Sequence, residues 1–143
     1  MKKYSILILA LPVFLLLSVT ANAQQKIKPK KCIDIIYSIL DSSPRYQKLT
    51  KNLMAAVKKN KGQGYGMMMN ASPNPGRDDA QDQSENYEFS LHETYPDRIV
   101  NTAHFIFNPK TKLLYEVDMA DPDNPKPIPF NKKLLSAFSK ACK

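Results

Sequence analysis

The chain has two histidines, His92 and His104, and each lies where apolar and polar residues alternate. An imidazole beside a carboxylate can move protons near neutral pH, or hold zinc or copper. Which carboxylates lie beside them depends on strand register. Tyr87, Phe89 and Leu91, then Ala103, Phe105 and Phe107, then Leu113, Tyr115, Val117 and Met119 read as three successive strands. Setting Phe107 opposite Leu113 pairs Phe105 with Tyr115 and Ala103 with Val117. Keeping the apolar faces together sets Ser90 opposite His104.

The other face of such a sheet carries two rows: Ser90, His104, Glu116 and His92, Thr102, Asp118. This arrangement predicts a three-ligand metal site of His92, His104 and Glu116, or a hydrolytic cluster that also includes Asp118. The same residue types are ordinary residents of the wet face of an antiparallel sheet. A slip of one residue would turn a whole strand's set to the other side.

Other residues carry weaker signals. Residues 71–84 (ASPNPGRDDAQDQS) hold turn formers and acids, and read as a long exposed loop. Its Arg77, Asp78 and Asp79 are candidate partner contacts. Asp78, Asp79, Asp82 and Glu85 there, and Asp118, Asp121 and Asp123 later, suit calcium in type, but neither run has EF-hand spacing. Met67, Met68 and Met69 are soft ligands by type. On a strand, successive side chains face opposite ways, which favours packing. Nucleophile-elbow, zincin, phosphate-loop and paired-cysteine motifs do not occur in the sequence. The expectation is a protein without a cofactor, with zinc or calcium as the alternative.

Cys32 and Cys142 are the only cysteines, 110 positions apart, and neither has a histidine close in sequence. A disulfide joining the two ends of a domain is the expected use, and implies an oxidising compartment.

The elements that must position these groups follow from periodicity. Cys32–Leu40 has a helical apolar stripe through Ile33, Ile36 and Leu40, with Ile35 and Ile39 beside it. Ser43 and Pro44 then open a second helix that runs to about Asn60, with Tyr46, Leu49, Leu53 and Val57 inward and Gly62 as the stop. Tyr65, Met67 and Met69 mark a strand before the three named above. Residues 121–129 read as irregular and proline-rich. Asn131 caps a last helix carrying Leu134, Leu135 and Phe138. The fold class expected is α+β: two N-terminal helices, an antiparallel four-stranded meander sheet and one C-terminal helix, the helices packed on one sheet face.

The N-terminus reads as a cleavable signal peptide over residues 1–23. Lys2 and Lys3 precede an apolar run from Ile6 to Val19, which ends in Ala21-Asn22-Ala23. The run is short for a bilayer span, so no transmembrane segment is expected after cleavage. Gln24 follows the cleavage site where a lipoprotein needs Cys. Residues 24–143 then form a single domain that is periplasmic or secreted.

Charge is segregated within it. Residues 24–62 carry ten basic and two acidic residues, residues 63–125 four and eleven, and residues 126–143 five and none. The basic helices suggest steering of an acidic or envelope partner. Nucleic acid is not expected, because the basic residues lack interleaved aromatics and motifs. The function expected is a small exported binding domain that recognises a protein or cell-envelope component. The alternative is a metal-binding or hydrolytic protein using the histidine face.

Overall fold

A computed structural model describes residues 31–142. The expected signal peptide, 1–23, and residues 24–30 lie outside the described residues. The chain runs α1 (Cys32–Asp41), α2 (Pro44–Thr50), α3 (Leu53–Lys59), β1 (Gly64–Ser72), α4 (Pro75–Asp78), β2 (Asp82–Gln83), β3 (Tyr87–Thr94), β4 (Ile99–Asn108), β5 (Leu113–Asp118), β6 (Asp121–Ile128) and α5 (Leu134–Ala141). The fold is mixed α+β around one six-stranded sheet in the order β2-β1-β3-β4-β5-β6. All neighbours are antiparallel except β1 and β2. No helix among the described residues is long and apolar enough to cross a membrane.

The sheet has six strands rather than four because two segments read as loops pair at its edges. Residues 71–84 are ordered: Ala71 and Ser72 complete β1, Pro75–Asp78 forms a helical turn, and Asp82–Gln83 returns parallel to β1. Residues 121–128 form the other edge despite Pro122, Pro125 and Pro127. Proline lacks an amide to donate, so it is tolerated where the outward side of a strand has nothing to bond.

The second helix is also divided. The Thr50 hydroxyl donates to the Tyr46 carbonyl at 3.1 Å, a local bond that competes with the helical ladder. Asn52 then leaves helical geometry at φ −128°, ψ 13°. Of the expected inward stripe, Val57 is fully buried, whereas Tyr46, Leu49 and Leu53 are half-buried. α3 ends with Lys61, not glycine, in the left-handed region at φ 63°. The Gly62 amide reaches back to the Val57 carbonyl at 2.8 Å. Gly62 is needed for space, because a Cβ there would collide with the Val57 side chain.

The helices pack on one face of the sheet. Ile35, Ile36 and Ile39 of α1 meet Phe89, Leu91, Phe105, Phe107 and Leu114. Phe138 of α5 sits edge-on to Phe107 with ring centres 5.2 Å apart. Cys32 and Cys142 form the expected disulfide, joining the start of α1 to the end of α5. The Tyr87 hydroxyl donates to Cys32 Sγ at 3.2 Å, under the bridge.

Burial, with the charge of Asp41 second, pushes the Tyr46 hydroxyl up to about 12 from 10.0. Burial also raises Tyr37 and Tyr87. A folded value above the unfolded one gives stabilisation that is complete below the unfolded value and is lost as pH rises through the folded value. The urea midpoint should therefore fall between pH 10 and about pH 12. Tyr46→Phe should reduce that fall; an unchanged alkaline slope in the variant would contradict the assignment.

Candidate functional site: a notch between β4 and the β5–β6 hairpin

The sheet face away from the helices holds both histidines but not their expected carboxylates. Ser90 pairs with His104, as the sequence predicts. Ser90 Oγ lies 3.3 Å from His104 Nδ1, and Asn70 Nδ2 donates to the same hydroxyl. One pair further the register breaks. A β-bulge sets His92 opposite Asn101, leaving Thr102 as the extra residue with its hydroxyl donating to the Leu91 carbonyl at 3.1 Å. His92 lies over Gly66, where a Cβ would stand 3.1 Å from the ring. Its Nδ1 is buried without a hydrogen-bond partner among the described residues.

Between β4 and β5 the register is one residue from that expected. Phe107 pairs with Leu114, not Leu113, so His104 faces Val117 and Phe105 faces Glu116. Leu114 is 1% exposed and Leu113 38%. Burying Leu114 beside Phe107 turns Glu116 to the helix side, away from the histidines. The expected His92, His104 and Glu116 metal site is therefore not assembled. Among the described residues, no three His, Cys, Asp or Glu side chains are grouped to hold a metal ion. The His104 row reads Met68, Ser90, His104, Val117, with no carboxylate to orient an imidazole, and Ser90 is 1% exposed. A nucleophile needs access and an oriented base; this Ser–His contact has neither, and acts as a cross-strand tie.

Of the acids in residues 71–84, Asp78 is withdrawn from the surface, whereas Asp79 and Asp82 are exposed. Asp78 is buried, takes a 3.1 Å bond from Arg77 Nε, and its charge helps raise Tyr87. Asp79 is exposed and closes the α4 turn at φ 56°. Arg77 stays exposed while its guanidinium pairs with the buried Asp78 carboxylate.

The displaced carboxylates meet elsewhere. Arg45, at the start of α2, grips Glu116 through Nε and Nη2, both at 2.7 Å. This two-pronged geometry suits a planar guanidinium and is stronger than a single exposed contact. The bond to Glu116 is the main reason the Arg45 guanidinium rises further above its ordinary value. Lys126 of β6 stands directly opposite Glu116. Asp118 accepts a 3.0 Å bond from the Ala120 amide, shaping the turn that carries Met119.

Beside this group the sheet has a gap. β4 has ten residues, but β5 pairs only with His104–Asn108. Ile99–Ala103 extends past the end of β5, and among the described residues no strand pairs with it on that side. A cavity of about 400 Å³ fills the notch, bounded by Thr102 and Ala103 on β4 and by Arg45, Glu116, Asp118 and Met119 opposite. Ile99 is 61% exposed and Met119 66%, with Val100 also uncovered. Single exposed apolar residues are common, but three beside unpaired strand backbone mark a place where another chain could lie.

Glu116 and Asp118, taken from the sequence as site residues, do line this cavity, on a face and with neighbours not expected. Arg45, Thr102, Met119 and Lys126 were not legible as a group. One signal was available for Arg45. The sequence has only three arginines among its many lysines, and each of the three forms an ion pair with a carboxylate. No known family, curated protein or solved structure matches this chain.

Proposed function

We propose that the protein is an exported binding module that recognises an extended segment of a protein or cell-envelope partner by adding it to β4. The observation that supports this reading is the unpaired Ile99–Ala103 edge opening onto the polar cavity. Unpaired strand backbone offers donors and acceptors in register, and alternate side chains of an added strand supply specificity. Asn101 opposes His92 and Val100 opposes Glu93, so alternate positions along the edge present different faces. The partner would place apolar side chains against Ile99, Val100 and Met119. One polar side chain would enter the cavity between Asp118 and the Arg45–Glu116 pair.

Export rests on residues 1–23 read as a cleaved signal peptide, and the Cys32–Cys142 bridge fits an oxidising compartment. Binding is favoured over catalysis because the His104 row lacks a carboxylate and Ser90 is buried.

Selection from a randomised library of peptides about ten residues long, against the mature protein, tests this reading. Enriched peptides should lose roughly tenfold or more in affinity when alternate amides on one edge are N-methylated, because each lost amide bond is worth about 1 kcal/mol. N-methylation of the other edge should be tolerated. Lys126→Glu, an exposed change beside the cavity, should alter which side chains are selected at one position. Equal binding by both N-methylated series would contradict strand addition.

A further inference from the structure

A strand edge without charge, proline or partner recruits other strands, and native sheets usually guard against it. β1 has such an edge. β2 pairs with it only at Ala71 and Ser72, and the Gln81 amide bonds the Asn70 carbonyl. Among the described residues, no strand lies beside Gly64–Met69 on that side. The sequence there is Gly-Tyr-Gly-Met-Met-Met, with no charged side chain and no proline. The other outer edge of the sheet, β6, carries three prolines and is guarded.

The two ends of this free edge have opposite charge. The end of α3 brings exposed Lys58, Lys59 and Lys61 to the Gly64 end, immediately upstream of the strand. The α4–β2 segment brings exposed Asp79 and Asp82 to the Ser72 end, with Asp82 directly opposite Ala71. Just before Gly64 the Gln63 amide bonds the Thr94 carbonyl of β3, so this bond lies on the paired side of the strand and leaves its outer side uninvolved.

We propose that the occupant of this edge is a second copy of the chain, paired β1 to β1 in antiparallel fashion about a twofold axis. Antiparallel pairing sets each lysine end against the aspartates of the other copy, at both ends at once. Parallel pairing would oppose like charges. An acidic peptide would satisfy the lysines and be repelled by the aspartates, and a basic one the reverse. Only a strand with the same polarity of charge, read backwards, complements the edge along its length, and an isologous twofold contact supplies that strand. The two six-stranded sheets would become continuous. The proposal is independent of the notch at β4.

Sedimentation equilibrium on the mature protein tests it, with circular dichroism to establish that each variant is folded. Wild type should dimerise. Lys59→Glu with Lys61→Glu, and separately Asp79→Lys with Asp82→Lys, should each raise the dimer dissociation constant about tenfold or more, since each turns both contacts repulsive. An equimolar mixture of the two variants should restore dimers, because the mixed pair has attractive contacts at both ends. Met68→Lys, a half-buried edge position, should give monomer without altering those charges. Wild type that stays monomeric at concentrations on the order of 100 µM overturns the proposal. So does a dimer indifferent to both reversals and to Met68→Lys.

Discussion

Replacing both Cys32 and Cys142 by alanine should lower folding stability by about 4–5 kcal/mol, the chain-entropy value for so long a loop. The bridge spans 110 residues and ties α1, the first described element, to α5, the last. Without it the open chain gains conformational freedom along nearly the whole domain. A domain of this size has roughly 5–15 kcal/mol to lose, so the variant should be marginal at 37 °C. Packing adds to the effect, because Cys32 is buried and accepts the Tyr87 hydroxyl bond. Reduced wild type separates the two contributions: it loses the bridge but keeps both sulfurs. Urea midpoints for oxidised, reduced and alanine forms should fall in that order. A reduced form as stable as the oxidised one would remove the bridge from the account of stability.

The second large effect distinguishes two neighbouring leucines. Leu114→Ala should cost about 2–5 kcal/mol, as for a well-buried leucine, and Leu113→Ala less than about 1 kcal/mol. Leu114 packs with Phe107 and Ile128 across paired strands, and Leu113 lies largely in solvent. Equal costs, or the reverse order, would restore the register expected from alternation alone. That register would return Glu116 to the histidine face, so this stability measurement also bears on the site.

The ambiguity at this point is physical. Leu113, Tyr115, Val117 and Met119 alternate as an inward stripe should, yet the inward positions are Leu114 and Glu116. Two features hide this. The open face is itself partly apolar at Ile106, Tyr115 and Val117, all half-buried, so β5 has no clean polar side. The inward set includes a glutamate made tolerable only by Arg45, which lies 71 residues away. Period-two patterning identifies a strand, but cannot rank two faces that are both mixed. The Thr102 bulge is equally invisible, because nothing in the Asn101-Thr102-Ala103 order requires an extra residue there.

Where the two faces differ strongly, the sequence is legible. Tyr87, Phe89 and Leu91 against Ala103, Phe105 and Phe107 give both strands and the Ser90–His104 pairing. α1 follows from its isoleucines, and the disulfide from two cysteines at opposite ends of the domain. The missed edge strands lack apolar alternation. Asp82–Gln83 is two residues long, and Asp121–Ile128 is proline-rich, so both are held by neighbours rather than by their own pattern.

The most direct test of the binding reading is amide hydrogen exchange on residues 24–143, with and without a peptide enriched from the library. Strand addition at β4 predicts slowing of about tenfold or more at outward amides within Ile99–Ala103, with little change at the Ser90 and His104 amides inside the sheet. Protection confined to another surface, or none within Ile99–Ala103 at saturating peptide, would contradict the notch as the site.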